Sequence, residues 1–234
     1  MHGIGITMNF KNDIFAKLKT FDIDKLKTEY HNHPEYGLIN IPEFLPQYIV
    51  NLCSSELYNL PIDKMKHFTR KGSCMYECND LSITPYQDYL VHALGSTEFI
   101  KWLEELTGVR KLIPDPHLVG AGYMKSYRGD TLQVHTDFNW VEEVALNRAV
   151  SIIIYFNRGW LQEWGGETIV YDKNNTDYCE ISKFQAGKLI VFDGANPHIG
   201  KGPQRACGEL RSIIAVQAVK TDAWNKLLDS KKQK

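Results

Sequence analysis

Ala149-Val150-Ser151-Ile152-Ile153-Ile154-Tyr155-Phe156 is apolar on both faces that a β-strand alternates between. It reads as an interior strand of a sandwich or barrel, not as an exposed edge. At eight residues, with Ser151 inside it, the run falls far short of the ~20 needed to cross a bilayer. Leu118–Tyr127, Thr131–Asp137, Gly166–Asp172, Lys188–Phe192 and Leu210–Gln217 are also strand-like, and turn residues separate most of them. Many short strands with glycine-rich turns imply a closed or double-sheet β fold. Upstream the pattern is helical. Ile49, Leu52, Cys53 and Leu57 form one stripe that stops at Pro61, and Phe99, Ile100, Leu103 and Leu106 form another. Ser96 suits the N-cap of the second helix, Glu98 its positive end and Gly108 a left-handed exit. The expectation is one α+β domain over 1–234, with 1–110 mainly helical support and 112–218 a β core.

The chain has 234 residues, 43% hydrophobic and 24% charged, which suits a soluble fold with a substantial core. Its 27 Lys plus Arg nearly balance 28 Asp plus Glu, so it lacks the positive field of a protein that coats nucleic acid or anionic membrane. The run Lys64, Lys66, Arg70 and Lys71 reads as a solvated face, and Lys231, Lys232 and Lys234 as a solvated tail. Met1–Phe10 does not read as a signal peptide, and the expected compartment is the cytoplasm. Cys53, Cys74, Cys78, Cys179 and Cys207 are odd in number and scattered, which fits reduced thiols. Cys74 and Cys78 would make half a zinc site, but no second pair follows.

His135 and Asp137 are two apart on the expected strand, so period-two geometry sends both to one face while Leu132 and Val134 point the other way. His198, sixty intervening residues further on in Asn196-Pro197-His198-Ile199-Gly200, is the third candidate ligand. Two neutral imidazoles and a carboxylate on one side of a divalent ion leave coordination positions open, the pattern suited to non-haem Fe(II) oxygen chemistry. Zinc accepts the same donors. A lone His-X-Asp is common. The pattern gains weight from His198 in its Gly/Pro-rich segment and from Arg211 thirteen positions later on the last strand.

Asp115-Pro116-His117-Leu118-Val119-Gly120, His135-Thr136-Asp137-Phe138-Asn139, Arg148 through Trp160, Gly165-Gly166-Glu167, Asn196-Pro197-His198 and Leu210-Arg211-Ser212 stand in order within Leu112–Gln217, 106 of the 234 residues. This stretch resembles the Fe(II)- and 2-oxoglutarate-dependent dioxygenases of the prolyl 4-hydroxylase-like class. The resemblance implies a double-stranded β-helix, a jelly-roll or cupin-like barrel, carried on N-terminal helices. It also implies iron held by His135, Asp137 and His198, the cosubstrates 2-oxoglutarate and O2, and ascorbate as a further candidate cofactor. Retention of Asp137 speaks against a halogenase variant. Arg211 is the candidate for the far carboxylate of 2-oxoglutarate, because a guanidinium makes two charge-assisted bonds that Lys cannot copy. Tyr155, with Ile153 on its face, and Tyr127 resemble tyrosines of the cosubstrate pocket. Arg205 reads as a loop or substrate contact. Arg148, Asn139 and Trp140 lie near the expected cavity mouth, as substrate or loop-stabilising residues, and Trp160 and Trp164 are lid or core aromatics.

The implied reaction is hydroxylation of an aliphatic C–H coupled to conversion of 2-oxoglutarate to succinate and carbon dioxide, with a proline-containing peptide or protein as the leading substrate and a small molecule as the alternative. No membrane partner is expected, and nucleic acid is not favoured because the basic run lacks a stacking platform. Two rival classes fit the same donors: a zinc-dependent cupin-like hydrolase or isomerase, which needs neither Arg211 nor Tyr155, and a non-catalytic jelly-roll binding module.

Overall fold

The computed structural model describes residues 9–32, 37–70, 73–115, 117–118, 120–137, 147–171, 178–182, 185–201 and 209–218; of these, the side chains at 70, 147, 178–182, 201 and 209–218 are not described. Two short helices begin the described chain, α1 (Phe10–Leu18) and α2 (Ile23–His31). The side chain of Asn9 caps the first and that of Asp22 the second. Phe10, Ile14 and Leu18 recur at helical spacing and are buried. Strand β1 (Leu38–Ile41) follows, then α3 (Gln47–Asn59), where Ile49, Cys53 and Leu57 are fully buried as their periodicity predicts. A hairpin of β2 (Lys66–Arg70) and β3 (Ser73–Cys78) leads to α4 (Pro85–Leu94) and α5 (Thr97–Thr107). In α5, Ser96 accepts a bond from the Phe99 N–H and Gly108 takes φ +73°, the left-handed exit that its lack of a Cβ permits.

Helix α4 has no side-chain cap of its own; its first turn is closed from a distance. The Glu56 carboxylate on α3 accepts from the Tyr86 and Gln87 N–H groups, each at 2.9 Å, and welds the two helices. Strand β4 (Leu112–Pro114) is followed by β5 (Gly122–Ser126), β6 (Thr131–His135), β7 (Asn147–Tyr155), β8 (Thr168–Tyr171), β9 (Tyr178–Ser182), β10 (Leu189–Phe192), β11 (His198–Lys201) and β12 (Glu209–Ala218).

Among the described residues all pairings are antiparallel, in the order β1-β10-β7-β12-β5-β3-β6-β11-β8-β9, with β2 on β3 and β4 on β12. The N-terminal half therefore supplies more than helices. Its β1 extends the sheet beyond β10, and its β3 links β5 to β6, which corrects the expectation that the sheet begins after residue 110. Sequence periodicity misses these strands because each is short and mixes polar with apolar residues. The apolar run becomes β7, paired on both sides by β10 and β12. Val150, Ile152 and Ile154 face a core shared with the helices, while Ile153 and Tyr155 face a second cluster with Leu38, Val170, Ile190 and Phe192. Both faces of one strand are dry, which is why the run shows no polar alternation. Cys53, Cys74 and Cys78 are free thiols, and no helix among the described residues is long and apolar enough to cross a membrane.

Candidate metal centre

His135 ends β6, and Asp137 lies two residues beyond it, so the strand stops short of the expected Thr131–Asp137. Simple alternation also fails. Between the pairs His198↔His135 and Gly200↔Leu132, two steps along β11 match three along β6, so a bulge at Gln133–Val134 re-aims His135. Asp137 is positioned by its own anchor, its N–H donating to Gly194 O at 3.0 Å. His198 opens β11, between His135 on β6 and Val170 on β8. A tight turn delivers it there. Asp193 Oδ1 accepts from the Ala195 N–H, the Asn196 N–H donates to Asp193 O, and the Tyr171 N–H donates to Pro197 O.

His135, Asp137 and His198 converge, with one donor atom from each lying within 4.8 Å of the others. The His135 Nδ1 lies 2.8 Å from Gln133 O, and the His198 Nδ1 lies 3.0 Å from Asn196 O. A carbonyl only accepts, so each Nδ1 carries the proton and each Nε2 keeps a lone pair for a cation. The rings sit 4.2 Å apart, and Phe192 packs at 4.9 Å from His198. Asp137 Oδ1 stands 3.8 Å from His198 Nε2. Two lone pairs and a carboxylate oxygen at this spacing can share an ion held ~2.1 Å from each after a small inward movement. The donor set fits a divalent metal that tolerates mixed nitrogen and oxygen ligation, Fe(II) included.

Both carboxylate oxygens have protein partners. Arg148 Nη1 lies 3.2 Å from Oδ1, Ser151 Oγ donates to Oδ2, and a Cβ added to Gly194 would stand 3.0 Å from Ser151 Oγ and 3.3 Å from Asp137 Oδ2. Arg148, expected at a cavity mouth, has a side chain only 2% exposed and packs against Asp137 instead. Ser151 and Gly194 were not singled out by the sequence. Ser151 is the sole polar residue in the apolar run and shares strand parity with Ile153 and Tyr155, which is the signal that marks it.

Tyr155 is fully buried, and its hydroxyl donates to Thr168 Oγ1 at 2.8 Å. Across the ladder it pairs with Arg211 on β12, which also pairs with Met124 on β5. The Arg211 side chain lies outside the described residues. On the other flank, the Tyr155 N–H donates to Lys188 O, and the buried Lys188 ammonium sits 5.5 Å from the Tyr155 ring centroid. Sequence reasoning passed over Lys188 and Thr168, because only the register brings them to Tyr155. Tyr127, just past β5, is 38% exposed; its ring meets Tyr76 edge-on at 5.6 Å and its N–H donates to Asp130. Burial pushes its phenol pKa up, aided by Tyr76 and Asp130. Trp160 and Trp164 pack edge-to-face at 5.2 Å, and the Trp160 Nε1–H closes the turn onto Gly165 O. Asn139, Trp140 and Arg205 lie outside the described residues.

Residues 122–216 match the 2OG-Fe(II) oxygenase superfamily, a span that includes His135, Asp137, His198, Tyr155 and Arg211. That family implies Fe(II), 2-oxoglutarate and O2. No curated protein matches the chain in sequence. Among solved structures, a prolyl-4-hydroxylase of Pseudomonas putida is similar with a TM-score of 0.62 at 16% identity, covering 83% of this chain and 100% of that one. A prolyl hydroxylase of Trichoplax adhaerens, solved with a hypoxia inducible factor peptide fragment, gives 0.60 at 15% identity over 86% and 90%. The non-heme α-ketoglutarate-dependent epimerase SnoN of nogalamycin biosynthesis gives 0.61 at 13% identity over 84% and 82%. At such identities the likeness is one of fold.

Proposed function

We propose that this chain is an Fe(II)- and 2-oxoglutarate-dependent dioxygenase that hydroxylates an aliphatic C–H of a proline-containing peptide or protein, built as a single domain around a double-stranded β-helix and working in the cytoplasm. The observation that carries the reading is the convergence of His135, Asp137 and His198 within 4.8 Å, with both Nε2 atoms left as acceptors. The match over residues 122–216 supports the cosubstrates, and the likeness to two prolyl hydroxylase folds favours a peptidyl proline substrate.

When bound, Fe(II) with 2-oxoglutarate and O2 supplies an oxidant able to functionalise an unactivated C–H, with succinate and carbon dioxide as co-products. The protein's part is to bind, orient and exclude water. His135, Asp137 and His198 hold the metal. Arg211 is the candidate to receive the far carboxylate of 2-oxoglutarate, joined by the Tyr155 hydroxyl once it turns from Thr168 Oγ1, and the Tyr155 ring is walled by Ile153, Ile190, Phe192 and Val170. The dry wall strengthens those charge-assisted bonds relative to water. Tyr127, more exposed and packed on Tyr76, is the further tyrosine candidate for the cosubstrate.

The test is incubation of the Fe(II)-loaded protein with 2-oxoglutarate, O2 and ascorbate against proline-containing peptides and metabolite extracts. Mass spectrometry then follows succinate and a gain of one oxygen on substrate. Arg211→Ala should weaken 2-oxoglutarate binding more than metal binding in calorimetry. Failure of the metal-loaded protein to bind 2-oxoglutarate overturns the reading, as does turnover with zinc in its absence. Succinate formation without oxygen gain on any peptide would retain the oxygenase class and remove the peptide substrate.

A further inference from the structure

We propose that Ser151 and Arg148 are positioning residues that make Asp137 a ligand through one oxygen only. The proposal rests on the reading of His135, Asp137 and His198 as a metal centre. Asp137 Oδ1 is the oxygen on the His198 side, 3.8 Å from Nε2, and Arg148 Nη1 reaches that same atom at 3.2 Å. Oδ2 is turned away. It receives the Ser151 hydroxyl and lies against Gly194, where a Cβ would stand 3.3 Å from it. The backbone is fixed as well, since the Asp137 N–H is bound to Gly194 O.

A defect in β7 puts both side chains where they act. Ser151 and Arg148 are three residues apart, and regular alternation would place them on opposite faces of the strand. Val216 pairs with Val150 while Gln217 pairs with Arg148, so one step along β12 matches two along β7, and Ala149 is the extra residue. The bulge turns Arg148 to the Ser151 side, a use of bulges common beside functional sites. Without it the guanidinium would follow Val150, Ile152 and Ile154 toward the helical core.

The consequence concerns coordination number. A carboxylate binds a cation through one or two oxygens. With one from Asp137 and two imidazoles, an octahedral ion keeps three positions: two for a chelating keto acid and one for O2. A second oxygen from Asp137 would take one of them. Holding Oδ2 on Ser151 keeps the third position free.

Mn(II) binding to the whole protein, followed by calorimetric titration of the Mn(II) form with 2-oxoglutarate, tests this with Ser151→Ala and Ser151→Thr. Ser151→Ala is expected to keep Mn(II) affinity within about threefold and to lower 2-oxoglutarate affinity about tenfold. Ser151→Thr, which keeps the hydroxyl, should return both to wild-type values. Arg148→Met should give the same split where it folds, and the milder serine variants decide if it does not. Equal losses of metal and 2-oxoglutarate affinity in Ser151→Ala, or loss of neither, would overturn the proposal while leaving the metal centre intact. A wild-type protein that binds no Mn(II) would overturn the metal-centre reading itself, and this inference with it.

Discussion

Gly194→Ala inserts one methyl group at the tightest point of the site. Its Cβ would lie 3.0 Å from Ser151 Oγ, 3.3 Å from Asp137 Oδ2 and 3.4 Å from Asp137 Cβ, so the neighbours must retreat by a few tenths of an ångström. Neither can do so freely, because Asp137 is tied by its N–H to Gly194 O and by its carboxylate to Arg148 and Ser151. Overpacking of this kind costs ~1–3 kcal/mol. The glycine's backbone lies outside the left-handed region, so alanine also recovers ~0.4–1 kcal/mol by restricting the unfolded chain. The net expectation is a loss of about 1 kcal/mol in urea unfolding and, with the carboxylate displaced, about tenfold weaker Mn(II) binding. Ser151→Ala removes the atom met at the shortest distance, so the double variant Gly194→Ala/Ser151→Ala should be more stable than the sum of the singles by about 1 kcal/mol. Additive behaviour within ~0.3 kcal/mol, or unchanged metal affinity in the glycine variant, would refute the steric reasoning.

Tyr155→Phe removes a buried hydroxyl that donates to Thr168 Oγ1, so unfolding should show a loss of about 1 kcal/mol, and calorimetry about five- to tenfold weaker 2-oxoglutarate binding. Glu56→Ala strips the first turn of α4 of both carboxylate bonds and should cost about 2 kcal/mol in urea unfolding, with metal affinity unaltered. Burial pushes the Cys53 thiol from 9.0 up to about 12, with the nearby Glu56 charge adding to it. Between those values the unfolded chain has lost a proton that the folded chain retains, so stability is intact below about pH 9 and falls by about 1 kcal/mol per pH unit above it. Burial likewise raises the Tyr30 and Tyr123 phenols, which steepens the loss at higher pH. Urea titrations across the alkaline range should show Cys53→Ala with the shallower decline; an identical slope would exclude the thiol as a cause.

The sequence by itself determined the elements whose periodicity is strong and whose ends are marked: α3 and α5 with their buried stripes, the Ser96 and Gly108 caps, and β7 as a strand dry on both faces. It also supplied the three candidate ligands, because imidazole and carboxylate chemistry is a property of residue type. Tertiary structure decided their arrangement. Strand β1 pairs only with β10, far along the chain, and β3, although its hairpin with β2 is local, meets β5 and β6 through residues more than forty positions away, so no local pattern announces their places in the sheet. Asp137 is placed by Gly194, Ser151 and Arg148, not by strand parity with His135, and two bulges, at Gln133–Val134 and at Ala149, overturn the alternation that a reading by periodicity assumes. A bulge is a compromise between two paired strands, and its cost and its location are set by the partner's register; one chain segment read alone cannot contain that information.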